Sequence, residues 1–365
     1  MGTYSKEAVI DALSRVLDPD FKKDLVSLNM IEGIEIDRNT IRFSLVLTTP
    51  ACPFQSQMKE QCIASIHDNI DSDANVEVTV TSRVTAGKNR GMVQLPGVKN
   101  IIGVASGKGG VGKSTVAVNL AISLAKTGAK VGLLDADIYG PSVPLMLDLQ
   151  DAIPETITEG DRTMILPVEK YGLKVLSIGF FVDPNKALVW RGPMASNALK
   201  QMLTDSAWDD IDYLVVDLPP GTGDIQLTLA QTVPVNGIVV VSTPQDVALA
   251  DARKSIEMFK GTNLNIPVLG LVENMSWFSP AELPNNKYYI FGKEGCMRLS
   301  KETGLPFLGQ IPLIMSIREG GDLGLPVSLH SDSAESSYFS ALAANVAREI
   351  AIKNAKIEDI PQHKH

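Results

Sequence analysis

Cysteine is scarce in this chain, with three in 365 residues: Cys52, Cys62 and Cys296. So few thiols over this length cannot make a disulfide framework, and the reducing cytoplasm is the expected compartment. Histidine is nearly absent too; two of the four lie in the last three positions, which leaves no His-rich metal site. No apolar run approaches the ~20 residues of a membrane span, and Gly237–Val241 is typical of the short runs present. The N-terminal stretch MGTYSKEAVIDALSRVLDPD lacks a cationic start and an apolar core, so it does not read as a signal peptide. Basic residues are outnumbered 33 to 42, giving a net charge of −9 and no sign of a nucleic-acid footprint. What is present, 44% hydrophobic and 21% charged residues, belongs to an ordinary globular chain. A soluble protein of two domains is expected, because a single core seldom grows past ~250–300 residues.

The hydrophobic pattern divides the chain. Residues 5–17 carry a helical stripe (Ala8, Val9, Ala12, Leu13, Val16, Leu17) closed by Asp18-Pro19. Strand-like runs at Met30–Ile36 and Ile41–Leu47 follow, then an amphipathic helix at Gln57–Ile70 and a closing strand at Val76–Val80. These predict a small α+β domain over 1–87, and the polar TAGKNRGMVQLPGVKN predicts a linker over 88–98. From 99 to 352 the grammar changes. Apolar strands at Ile101–Ala105, Val131–Asp135, Tyr213–Asp217, Gly237–Ser242 and Val268–Glu273 alternate with helices at Ser114–Lys126, Ala195–Thr204, Ile225–Thr232 and Leu249–Lys260. Such alternation predicts an α/β domain whose mostly parallel sheet is flanked by helices on both faces. Residues 353–365 read as a polar tail.

Between the first of these strands and its helix stands Gly107-Lys108-Gly109-Gly110-Val111-Gly112-Lys113-Ser114, the phosphate-loop pattern G-x-x-x-x-G-K-[ST] in the context it requires. Glycines let backbone N–H groups face a triphosphate, and the helix N-terminus adds a favourable dipole. Lys113 is expected to reach the β- and γ-phosphates, Ser114 to ligate Mg²⁺, and Thr115 to touch the α-phosphate. Asp135 and Asp137 follow one strand, and Asp217 ends another. Carboxylates there face the crevice where such sheets bind ligands, and Asp217 is placed to hold Mg²⁺ through water. Asp135 has a second reading, as a cap on the turn that follows it. No N-K-x-D motif for guanine occurs, which favours ATP over GTP.

The second lysine of GKGGVGKST resembles that of the deviant Walker A ATPases, the family of MinD, ParA, the nitrogenase iron protein and ArsA. DADIYGPS (Asp135–Ser142), RGPM (Arg191–Met194), DLPPGTGD (Asp217–Asp224), STPQDVALADARK (Ser242–Lys254) and ENMS (Glu273–Ser276) narrow the resemblance to the Mrp/ApbC iron–sulfur cluster carriers, over roughly residues 100 to 350. LTTPACPFQSQM resembles the small domain that precedes the ATPase in many Mrp proteins. The resemblance implies a P-loop NTPase fold and an ATP-driven homodimer in which Lys108 reaches the partner's nucleotide. Its alternative reading is a solvated loop cation. The resemblance further implies that Asp137 positions the attacking water, Asp135 supports the metal shell, Asn274 bonds the adenine edge, and Pro312 belongs to a loop near the base.

One feature of those carriers is missing. They place Cys-x-x-Cys soon after ENMS, and a dimer pools two pairs to bind a cluster. Here no cysteine occurs between Glu273 and Gly295, and Pro280 and Leu283 stand where the pair would fall. Cys52, beside a proline in a loop before a helix, reads either as a thiolate activated by the helix N-terminus or as a half-buried filler. Cys296 is a lone thiol, and Cys62 lies in a helix stripe. Cys52 and Cys296 are therefore the only ligand candidates. The leading expectation is a cytoplasmic ATPase that carries iron–sulfur clusters to apoproteins. The alternative is a ParA- or MinD-like dimer switch acting by partner docking without a cluster. The tail KNAKIEDIPQHKH is too polar for a membrane helix, and the acidic balance argues against nucleic acid.

Overall fold

The computed structural model describes residues 4–358 apart from 88–94, 161, 182–191, 263, 281, 284 and 332. It divides into two units, one of residues 1–85 with 347–365 and the other of 86–346. Most of the expected linker, Arg191 of the RGPM run and residues 359–365 of the tail lie outside the described residues.

In the smaller unit, strands β1 (Ile31–Asp37), β2 (Thr40–Leu47) and β3 (Asn75–Ser82) form a sheet in that order, β1 antiparallel and β3 parallel to β2. A parallel neighbour needs a crossover, supplied by the helix Gln55–Asn69, while Lys6–Leu13 opens the unit. Ser5 caps that first helix by accepting the Ala8 N–H at 3.1 Å. Leu13, Phe43, Leu45, Met58, Cys62 and Ile66 fill the core. The first helix stops at Leu13, short of the expected 17. Its apolar stripe continues through buried Val16, but Leu17 instead forms a bridge with Asp24, and the Asp18 carboxylate accepts the Asp20 and Phe21 N–H groups.

The larger unit contains β4 (Val98–Ser106), β5 (Val131–Asp135), a hairpin of β6 (Thr156–Glu159) and β7 (Arg162–Ile165), then β8 (Val168–Lys170), β9 (Leu173–Ser177), β10 (Ile211–Asp217), β11 (Gly237–Ser242), β12 (Val268–Phe278) and β13 (Phe307–Leu313). Eight of them make one sheet in the order β13-β12-β11-β4-β10-β5-β9-β8, parallel except for β8. Every residue of β5 and β11 is buried, as the continuous apolar runs require of a sheet covered on both faces. The chain leaves β4 past β10 to reach β5 and later arrives at β11 on the other side of β4. That reversal opens a crevice at the C-terminal ends of the central strands.

Three expectations are corrected. Leu95, placed in the linker, is buried in the larger core, so that unit begins before 99. Residues 353–358, placed in the polar tail, are helical: they continue the helix Ala334–Glu358, whose stripe of Ala343, Val346, Ala347, Ile350 and Ala351 is buried. Glu273–Ser276 lies within β12, which runs on to Phe278 through an irregular register.

Trp208 is 1% exposed, and its indole N–H donates to the Met202 carbonyl at 3.0 Å. Trp208→Ala should therefore cost about 3–5 kcal/mol. The urea midpoint by circular dichroism measures this, and a loss below about 1 kcal/mol would contradict the packing described.

Candidate functional site

The phosphate loop joins the end of β4 to the helix Lys113–Lys126. Its first glycine is fixed by packing, since a Cβ on Gly107 would lie 2.2 Å from the backbone of Asp251. Gly112, at φ +78°, is the left-handed residue that turns the loop into the helix, and no side chain caps that helix end. The first-turn N–H groups are thus left for an anion. Gly109, Gly110, Val111, Ser114 and Thr115 line a cavity of about 230 Å³, joined by Lys108, Lys113 and Asp137. Ser106, Gly112, Ser142, Met146 and Pro220 complete it; Ser142 and Pro220 belong to the DADIYGPS and DLPPGTGD runs, whereas Met146 lies in no motif of the sequence.

Lys113 is 6% exposed and donates to Asp217 Oδ1 at 2.6 Å and to Ser114 Oγ at 3.2 Å. Asp137 Oδ2 lies 3.6 Å away. Pairing of parallel strands sets Asp217 of β10 level with Asp135 of β5, and Asp135 level with Ser177 of β9. Three carboxylates thus share one buried ammonium. Burial pushes Asp135 up to about 8, with the Asp217 charge second. Burial also raises Asp217 and Asp137 despite the opposing pull of Lys113.

The roles of the acids separate on their partners. Asp135 Oδ2 accepts from Ser177 Oγ at 3.0 Å and Val143 N at 3.2 Å, and its Oδ1 accepts from Asp137 N at 3.1 Å. With both oxygens taken, Asp135 ties down the 135–143 turn. These bonds support the second reading of Asp135, as a cap on the turn that follows it. Asp217 Oδ2, by contrast, is buried without a partner among the described residues. An orphaned carboxylate oxygen among excess negative charge fits a hydrated divalent cation. Beside it, Gln226 holds the 219–223 turn, donating to Pro219 O at 2.9 Å and Gly221 O at 3.1 Å and accepting Gly223 N–H at 3.0 Å.

Lys108 is half-exposed and makes no ion pair among the described residues. Asn274, expected at the adenine edge, is 6% exposed and donates its amide to Val111 O at 2.8 Å. Pro312 sits in β13, next to Ile311, the residue paired with Asn274. Neither residue lines the phosphate-loop cavity.

The thiols are spread apart. Cys296 is fully buried: its N–H donates to Glu273 Oε2 at 2.8 Å, its Sγ contacts Ser242 O at 3.7 Å, and burial raises its pKa. It is removed as a ligand candidate. Cys62 is fully buried, its thiol pushed up to about 12. Cys52 is half-buried, and burial raises its pKa, with Asp18 and Asp20 acting in the same sense. The expected activation at a helix N-terminus does not win, although the Phe54 N–H opposes the rise. Where the Cys-x-x-Cys would fall, Phe278 and Tyr288 form a bridge, and the Lys287 ammonium lies 4.0 Å from the Trp277 ring centroid. Among the described residues no three His, Cys, Asp or Glu side chains form a metal-holding group. No helix among them is long and apolar enough to cross a membrane.

Residues 97–347 match the family of NUBPL iron-transfer P-loop NTPases, and residues 6–80 match the iron–sulfur cluster assembly protein family. The chain is 46% identical over 348 residues to the iron–sulfur cluster carrier protein of Synechocystis sp., covering 95% of this chain and 98% of that one. It is 44% identical over 348 residues to the protein of the same name in Escherichia coli, covering 94% and 90%. Among solved structures, a nucleotide-binding protein of Archaeoglobus fulgidus in complex with ADP is similar at a TM-score of 0.57 and 36% identity, covering 66% of this chain and 92% of that one.

Thiol burial makes a direct prediction. With a pKa near 12, roughly one Cys62 in ten thousand is thiolate at pH 8, and solvent does not reach it. The native protein should therefore react with a disulfide reagent at Cys52 alone, and at all three cysteines once unfolded. Rapid labelling of Cys296 in the native state, read by peptide mass spectrometry, would contradict its burial.

Proposed function

The chain belongs to the NUBPL iron-transfer P-loop NTPase family, and we propose that it is a cytoplasmic, homodimeric, ATP-hydrolysing carrier that delivers iron–sulfur clusters to apoproteins. The observation that carries the ATPase part is the buried Lys113–Asp217 pair beneath the loop, with Asp137 beside it and Asp217 Oδ2 left without a partner. The names of its relatives support the cargo.

In this reading ATP lays its phosphates in the concavity of Gly107–Thr115, and Lys113 exchanges Asp217 for the β- and γ-phosphates. Mg²⁺ would be held by Ser114 and, through water, by Asp217, and supplies neutralisation of phosphate charge. Asp137 lines the cavity and orients the water that attacks the γ-phosphorus as the bond to ADP breaks. Lys108, half-exposed at the mouth, serves the nucleotide of the other subunit and neutralises charge as it develops. The turns tied down by Asp135 and Gln226 carry the loss of the γ-phosphate to the surface, loosening the dimer and releasing cargo. Cys52 is the thiol left to hold the cluster. One thiol per subunit gives a dimer two of the four usual ligands, the remainder coming from non-thiolate groups. The lack of a metal-holding group among the described residues favours one second reading, a nucleotide-driven dimer switch that docks partners without a cluster.

Anaerobic reconstitution with iron and sulfide separates the two. The wild type and Cys296→Ala should show iron–sulfur absorbance and Cys52→Ala should lose it; a colourless wild type that still hydrolyses ATP would leave the switch. Lys113→Ala should abolish tight ATP binding. Lys108→Ala should keep ATP binding and lower turnover roughly 10²-fold or more, and unchanged turnover would remove Lys108 from the reaction.

A further inference from the structure

Strand β3 (Asn75–Ser82) ends the sheet of the smaller unit, eight residues long and paired with β2 on one side only. Its two ends show which backbone groups face that neighbour. Asn75 N–H donates to Asn39 O and Arg83 N–H to Leu47 O, both at 2.8 Å, so the odd-numbered residues turn toward β2. Backbone groups alternate in side along a strand. Val76, Val78, Val80 and Ser82 therefore turn theirs outward, and among the described residues nothing bonds to them.

An open edge is a template for another strand unless something blocks it, and the other edges of this protein are each guarded. β1 carries a bulge between Glu32 and Glu35, with Gly33 at φ +63°. β6 and β7 are four residues long and β8 three, and all hold charged side chains. On β13 the Leu308 carbonyl accepts from Asn345 Nδ2 at 2.9 Å. β3 has none of these devices. NVEVTVTS contains no proline, no bulge and one charge, Glu77, which Arg42 binds at 2.7 Å. Val76 and Val80 are only partly buried, so apolar surface is left uncovered beside the bare backbone.

We infer that β3 is a self-association edge, pairing antiparallel with β3 of a second copy of this chain so that the two small sheets become one. The strand is its own complement. In a twofold pairing centred on Val78, Val76 stands opposite the partner's Val80 and Val78 opposite the partner's Val78. These are the outward-turned residues, so each pair exchanges two backbone hydrogen bonds. The valines then meet on the core side. On the other face Glu77 stands opposite the partner's Thr79 and Asn75 opposite the partner's Thr81, so no like charges meet. A slip of one residue would break the match of faces. The contact needs no nucleotide and is separate from the nucleotide-driven dimer proposed above. An interface of one strand pair is small, and the dimer it makes is weak.

Sedimentation velocity of the full, nucleotide-free chain in EDTA, from low to high micromolar concentration, tests this with the wild type, Thr79→Glu and Thr79→Lys. Thr79 is exposed, so neither variant disturbs the core. The wild type should dimerise as concentration rises. By symmetry each substitution acts twice: Thr79→Glu meets the partner's Glu77 and should weaken the dimer about fivefold, whereas Thr79→Lys should tighten it by about the same factor. Amide exchange at Val76, Val78 and Val80 should slow with concentration, while Glu77 and Thr79 stay protected throughout. Dimers indifferent to both substitutions would place the contact elsewhere and overturn the inference. A monomer at every concentration would overturn it as well. Freely exchanging amides at Val76, Val78 and Val80 would then leave the edge to an extended chain of another protein, and protected ones would mean that the chain covers its own edge.

Discussion

A lysine buried to 6% exposure cannot keep its charge without a partner, and here the partner is Asp217 at 2.6 Å, itself fully buried. The pair fixes much of what surrounds it. Desolvating both ions is unfavourable unless their geometry is close and their remaining groups are bonded. Lys113 meets that demand through Ser114 and Asp137, but Asp217 does so with one oxygen only. The sheet has to be parallel and covered on both faces for Asp135 and Asp217 to end level with each other on adjacent strands. The result is a site with more carboxylates than its one buried ammonium can balance, a surplus that suits a metal–nucleotide complex.

Much of this was legible in the sequence because it is written in local pattern. The apolar runs of β5 and β11 coincide with the strands to the residue, and the glycine pattern with its lysine and serine located the loop. What escaped is set by register between segments far apart in the chain. Ser177 becomes a partner of Asp135 only because β9, five residues long, lies beside β5, and no feature of LKVLS advertises it. Gln226 shows the same limit, since a glutamine two residues into a helix gives no sign that its side chain will fold back onto Pro219 and Gly221.

Asp135 and Asn274 show a related limit. Both stand on strands, and residue type alone cannot say which of two neighbours a polar group will face. For Asp135 the neighbour is the following turn; for Asn274 it is the phosphate loop. Both groups are buried, so each must satisfy its hydrogen bonds within the protein. Cys52 follows the same logic with the opposite sign: its place before a helix suggested a lowered pKa, and the burial of its thiol beside Asp18 and Asp20 outweighs the helix.

The nucleotide site and the cargo site are therefore built to different degrees. Between Gly107 and Gln226, Lys113, Asp135 and Gln226 are buried and hydrogen-bonded around the phosphate loop. Among the described residues no comparable assembly surrounds a thiol: Cys62 and Cys296 lie in separate cores, and Arg348, the cation near Cys52, is paired with Asp20. A thiolate that must form by desolvated ionisation binds iron weakly unless the metal itself displaces the proton. On the proposed function, cluster handling draws on groups beyond Cys52, whereas the phosphate loop, Lys113 and Asp217 lie together in one unit. On the proposed function, carriage and hydrolysis are therefore separable properties, joined through the dimer proposed to form on nucleotide binding.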